Sequence, residues 1–239
     1  RLKDVGDALR RVDLFMAPSA FLRDRFVQSG MVPADRVLRW PYGHDHGRFA
    51  AAERTPSELL RVGYLGTISS YKGVGVLVDA LERLADAPVE GRLHGALEIF
   101  PDYTAELRRR IANPRTRLLG RFDNRRVGEL LAGIDVLVVP SLWWENAPLT
   151  ISEAFLAGVP VVASNLGGMA EMVRDGENGF LFPAGDAAAL ADVLRRLACD
   201  RALLAKVRPA PESVRDIRED VASAEAVFFR LLEKKERGR

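Results

Sequence analysis

From Leu60 onward the chain alternates short apolar runs with amphipathic stretches, and this alternation constrains the fold more than any other feature. Runs rich in β-branched residues or leucine, bounded by Gly, Pro or Asp, read as strands. They fall at residues 61–65, 92–97, 116–119, 135–139, 160–163 and 179–182. The stretches between them read as helices, at 73–85, 103–112, 125–132, 148–157, 168–174 and 186–198, and one more long helix is read at 212–235. Repeated β-α units imply a parallel sheet with helices on both faces. The fold class is therefore α/β: a doubly wound, Rossmann-like sheet of about six strands over residues 60–220, with a C-terminal helix over 221–239.

Residues 1–59 do not continue the pattern. A helix-like stretch, 1–11, is followed by a strand at 12–17, a helix at 19–29 and a strand at 36–41. Ser19 stands where it can cap the helix and Gly30 where it can end it. One β-α-β unit buries little core of its own. The reading is the remnant of a second domain over 1–41, with apolar surface open to self-association, and a Gly-rich polar linker over 42–59. With 239 residues there is room for one full α/β domain and a remnant, and the start without Met reads as a truncation.

The 35 basic and 33 acidic side chains leave a net charge of +2, which argues against nucleic acid as a partner. The run Arg108-Arg109-Arg110 lies in a helical pattern and reads as a solvated face. The single cysteine, Cys199, permits no internal disulfide and reads as a buried or helix-end thiol in a reducing compartment. No apolar stretch reaches the roughly 18 residues of a membrane span. The expected location is cytoplasmic.

In doubly wound sheets ligands bind at the carboxyl ends of the strands, near the reversal of strand order. Two loops there carry unusual residues. The first runs from Gly66 and Thr67 to Lys72 and Gly73. It is neither G-x-G-x-x-G nor a P-loop, yet it places glycines, hydroxyls and a lysine at a helix start, where phosphate can be held. The alternative is a solvent-exposed lysine. The second loop is Pro140-Ser141-Leu142-Trp143-Trp144-Glu145-Asn146. At least one tryptophan reads as a wall or core aromatic. Glu145 would stand at the next helix's entrance and Glu153 about two turns inside. A carboxylate among Leu149, Ile151, Ala154 and Phe155 either binds a vicinal diol or lies on a solvated face; spacing leaves both open. His44-Asp45-His46 has no further ligands at metal spacing, so no metal is expected. His94 reads as a core histidine.

The run ENAPLTISEAFLAGVPVVASNLGGMAEMVRDGENGFLF closely resembles the E-x₇-E region of family 4 glycosyltransferases, retaining enzymes of the two-Rossmann-domain GT-B type that use a nucleotide sugar. RVGYLGTISSYKGVGVLVDAL resembles their first C-domain strand and phosphate loop, and NPRTRLLGRFDN with GIDVLVVPS their third and fourth strands. VDLFMAPSAFLRDRF and VLRWPYGHDHGRF resemble the end of their N-terminal domain and the interdomain linker. Five pieces in order cover nearly the whole chain. The resemblance implies that residues 60–220 bind the donor and residues 1–41 belong to the acceptor domain.

It further implies that Glu153 holds the ribose hydroxyls, that Glu145 lies near the hydroxyls of the transferred sugar and that Lys72 neutralises the diphosphate. Asn146, Ala147, Pro148, Leu149 and Thr150 then form a helix start facing phosphate and sugar, Gly66 and Thr67 belong to the phosphate loop, and Phe122 and His94 lie near the base and donor. Thr67 departs from the family's usual Arg, which leaves Lys72 more of the task. No cofactor is implied beyond the nucleotide-diphosphate sugar, with uridine and guanosine both open. The acceptor is a glycan or a lipid-linked group, and membrane-surface contact would come through the other domain. The competing functions are nucleotide binding without turnover and sugar-nucleotide epimerisation, and the paired glutamates favour transfer over epimerisation.

Overall fold

A computed structural model describes residues 2–49, 55–209 and 211–237. The chain divides into two compact units, residues 1–46 with 212–239, and residues 47–211. The linker expected at 42–59 falls partly outside the described residues.

The first unit begins with helix α1 (Leu2–Leu9), strand β1 (Phe15–Ala17), helix α2 (Ala20–Gln28) and strand β2 (Val37–Arg39). β1 and β2 pair in parallel, Phe15 opposite Val37. Both strands are shorter than the sequence suggests. Ser19 caps α2 by accepting from Leu22 N. Ala17, Val32 and Val37 form a small core with Leu9, Phe15, Leu22 and Val27 around it. The helix at the chain's end, Ile217–Arg237, belongs to this unit. It starts five residues later than its apolar pattern indicates, because Pro211–Ser213 forms a separate turn of 3₁₀ helix.

The second unit is a single six-stranded sheet. In chain order it contains β3 (Leu60–Leu65), α3 (Val74–Glu82), β4 (Val89–His94), α4 (Pro101–Arg110), β5 (Thr116–Gly120), α5 (Val127–Ala132) and β6 (Val136–Val139). Then follow α6 (Leu149–Leu156), β7 (Val161–Ser164), α7 (Gly167–Met172), β8 (Gly179–Phe182), α8 (Ala187–Cys199) and α9 (Arg201–Lys206). The strand order is β5-β4-β3-β6-β7-β8, all parallel. The Rossmann-like expectation therefore holds.

Alternate residues of the central strands, among them Leu60, Val62, Tyr64, Val136 and Val138, form one core with α3, α4 and α8. Helices α5 and α6 pack together, and Ile151, Ala154 and Phe155 of α6 are also buried.

β4 lies three residues earlier than its apolar run suggests. Val89 pairs with Leu60 at the strand's start, the register against β5 shifts between Leu93 and His94, and Gly95 N still bonds β5 through Gly120 O. Leu97 has left the sheet, and its carbonyl accepts from the Thr104 hydroxyl. α9 was not legible as a separate helix; Asp200 caps it through Ala202 N.

Candidate functional site

Strand order reverses between β3 and β6, so the loops that leave these neighbours lie side by side at their carboxyl ends. They approach at backbone distance. Gly73 has φ +69°, and a Cβ there would stand 1.8 Å from the Pro140 carbonyl oxygen. Leu142 N donates to Tyr71 O at 2.9 Å. The second loop is held from its other side by α7. Gly168 N donates to Glu145 O at 2.8 Å, and a Cβ at Gly168 would meet Asn146 O at 1.8 Å.

This packing brings Lys72 and Glu145 together. Lys72 Nζ lies 2.5 Å from Glu145 Oε1, with side chains 31% and 15% exposed. The buried Ser141 hydroxyl donates to the same oxygen at 2.9 Å. Lys72 is thus not the free loop lysine of the alternative reading. The loop's start is fixed from below, because the Tyr64 hydroxyl donates to Thr67 O at 2.7 Å. Burial, then the nearby Glu145 charge, pushes the Tyr64 phenol above its usual range. That proton stays in place, and Tyr64 serves as a fixed donor.

The helix starts differ in their free amides. At α3, Tyr103 Oη accepts from Gly75 N at 2.9 Å, while Val76 N and Leu77 N bond Gly73 O. That terminus is largely satisfied from within. α6 begins after Pro148 with no side-chain cap, and neither Leu149 N nor Thr150 N has a partner among the described residues. By contrast α2, α8 and α9 are capped by Ser19, Asp186 and Asp200. Open amides and the helix dipole suit an anion at the start of α6. Asn146 and Ala147 lead into that start.

Glu153 lies just over one turn inside α6, nearer its start than the sequence spacing indicates. It is 8% exposed, so the solvated-face alternative does not hold. Among the described residues its carboxyl has no hydrogen bond or ion pair. Burial pushes its pKa up, with the Arg48 charge pulling the other way. A buried carboxyl with spare acceptors is costly until something polar meets it.

His94 ends β4, and its ring meets Phe122 edge to face at 6.1 Å. Burial, then Arg92, lowers the His94 pKa, so the imidazole is neutral at pH 7. It is half-buried at a strand end rather than a core residue. Gly66 N donates to His94 O at 3.1 Å, which ties the first loop to this neighbouring one. The tryptophans depart from the wall or core reading: Trp143 is 64% and Trp144 51% exposed.

Arg110 departs from the solvated-face reading of its run. It pairs with Asp79 at 2.5 Å and donates to Gly75 O at 3.0 Å. Cys199 is the last residue of α8 and exposed, which matches the helix-end reading. No group of three or more His, Cys, Asp or Glu able to hold a metal occurs among the described residues. No described helix is long and apolar enough to cross a membrane.

Sequence reasoning missed Ser141, Tyr64 and Arg48. Ser141 had one legible signal, its position just past the apolar strand, after Pro140. Arg48 gave none, because its role depends on chain brought near by folding, and Tyr64, whose partner Thr67 is only three residues on, read simply as a strand residue.

A family model described as Glycosyl transferases group 1 matches residues 60–200. A phosphatidyl-myo-inositol mannosyltransferase of Mycobacterium leprae is 35% identical over 134 residues, 52% of this chain and 33% of its own length. The sulfoquinovosyl transferase SQD2 of Arabidopsis thaliana is 26% identical over 205 residues, 80% of this chain and 39% of its own. Among solved structures, Anabaena Alr3699/HepE in complex with UDP and glucose superposes with a TM-score of 0.82 at 26% identity. That match covers 95% of this chain and 66% of the other. Against these two curated relatives the chain spans between a third and two fifths of their length.

Proposed function

The chain belongs to the glycosyl transferases of group 1, and on that premise we propose that it holds the donor in transfer of a sugar from a nucleoside diphosphate to an acceptor hydroxyl, with retention at the anomeric carbon. One observation carries this reading. Lys72, Glu145 and the uncapped start of α6 converge where the strand order reverses, and Glu153 is buried without a partner in that same helix.

In this reading Glu153 accepts from the ribose diol. The diphosphate lies against Leu149 N and Thr150 N, with the Lys72 ammonium beside it. As the sugar–phosphate bond breaks, charge grows on the departing diphosphate, and amides already fixed in place stabilise it with little reorganisation. Glu145 faces the transferred sugar, while Phe122 and His94 stand near the base. Fixed amides and one ammonium can take this role without a metal. The acceptor hydroxyl is met on the open side of the loops, by parts of the protein beyond this site. Solved structures of Anabaena HepE contain UDP and UDP-glucose, which makes uridine nucleotides the first probes.

Calorimetry with uridine, UMP and UDP tests the assignment. Glu153→Ala should weaken binding of all three by about 1–3 kcal/mol, the scale of hydrogen bonds to a charged group. Lys72→Ala should weaken UDP far more than uridine, and the loss should shrink as salt rises. Equal losses for uridine and UDP in Lys72→Ala would remove the phosphate role. An unchanged Glu153→Ala would remove the ribose role.

A further inference from the structure

The loop after β6 carries a buried hydroxyl that the donor reading leaves unused. Ser141 is 1% exposed. Its Oγ lies 2.9 Å from Glu145 Oε1 and 3.3 Å from the Tyr71 carbonyl oxygen. A serine hydroxyl has one proton to give. The shorter, charge-assisted bond to the carboxylate takes it, and Tyr71 O already accepts from Leu142 N. Lys72 Nζ approaches the same carboxylate oxygen at 2.5 Å. Two donors therefore converge on Oε1, and Oε2 has no partner among the described residues.

We propose that Ser141 is the positioning residue of this site: it ties down one oxygen of Glu145, presents the other to the transferred sugar, and keeps Lys72 available to the diphosphate. The proposal rests on the reading of the site as a donor site. Its physical basis is the terminal torsion of the glutamate, which is broad and roughly two-fold. Without a second donor the carboxylate can turn both oxygens onto the single ammonium. Lys72 would then be held by a tighter ion pair, and no oxygen would be presented to the sugar. A nucleotide sugar should feel that loss more than the nucleotide alone, because Glu145 faces the sugar.

The test compares the full chain with Ser141→Ala and Ser141→Thr by calorimetry, using UDP against UDP-glucose and GDP against GDP-mannose. Ser141→Ala should bind the nucleotide sugar about tenfold more weakly, as for one lost hydrogen bond to a charged group. The matching nucleoside diphosphate should change much less, and Ser141→Thr, which keeps the hydroxyl, should restore the difference. Equal losses for sugar nucleotide and nucleotide, no loss at all, or no rescue by threonine would overturn the proposal. Should the unaltered chain bind none of the four ligands, the donor reading fails, and ligand-free crystal structures then decide the role of Ser141. A Glu145 carboxylate turned onto Lys72 in Ser141→Ala supports positioning, and a Glu145 that has not moved overturns it.

Discussion

Glu153 is the residue at which stability and binding pull apart. Its carboxyl is buried, has no hydrogen bond among the described residues, and has its pKa raised by burial. A raised folded-state pKa means that its least costly state exists below the unfolded carboxyl pKa. The penalty grows as pH rises through the folded value. Glu153→Gln removes the charge and keeps the shape. It should stabilise the ligand-free chain by roughly 1 kcal/mol at neutral pH, and the gain should fade as pH falls through the raised folded value and be gone below about 4. The same change should weaken UDP binding. Thermal melts across pH with and without UDP check both halves, and a variant less stable than the unaltered chain at pH 7 would contradict the account. This residue was half legible in the sequence. A glutamate among apolar neighbours in a helix is odd enough to notice, but only the packing of α6 decides between buried and solvated. Lys72 and Glu145 were legible as residue types in the two right loops; that they meet at 2.5 Å was not, because 73 residues separate them.

At the scale of elements, β3 and β6 are joined at both ends, by different means. Their carboxyl ends meet through the loops of the candidate site. Their amino ends meet through Asp135, which receives Arg61 Nη2 at 2.8 Å and Arg201 Nη2 at 3.3 Å. Arg201 also donates to Leu59 O and Ser57 O. Burial alone would push the Asp135 carboxyl up. The Arg61 hydrogen bonds and charge, with Arg201, outweigh it and hold the carboxyl below its usual value. A lowered folded-state pKa contributes stability above the unfolded value, and that stability is lost as pH falls through the folded one. Asp135→Asn should therefore cost about 3 kcal/mol at pH 7, the scale for breaking a largely buried pair. The gap from the unaltered chain should close below about pH 4. Urea unfolding at several pH values measures it, and a gap constant with pH would refute the ion-pair account. The β-α order of this unit was legible because apolar runs and glycines punctuate each element. The misplacement of β4 shows the limit. Its apolar residues run on to Leu97, whereas pairing with β3 and β5 ends at His94, and Gly95 packs so closely on the first loop that a Cβ there would meet Gly66 O at 2.0 Å, a contact that local pattern does not encode.

At the scale of the whole chain, the first unit is assembled from both ends of the sequence, and no local signal announces it. An isolated β-α-β unit buries little core of its own. In the structure the same unit contains the final helix. Asp220 joins segments 180 residues apart: it receives Trp40 Nε1 at 2.6 Å and Gly43 N at 3.1 Å. Arg215 stacks over Trp40 at 4.7 Å and donates to Asp220 at 3.2 Å. Backbone bonds between His44 and both Arg215 and Ile217 complete the join. Each bond shown by Asp220 is charge-assisted, and its removal leaves an indole N–H and a backbone N–H without an acceptor in a partly buried place. Asp220→Ala should therefore raise amide exchange together in residues 37–44 and 217–224, since each segment protects the other. Local opening would become easier by roughly 2–3 kcal/mol. Hydrogen-exchange mass spectrometry on the full chain reads this directly. Faster exchange in 217–224 alone would mean that the helix end is merely fraying and that residues 40–44 are held by something other than Asp220.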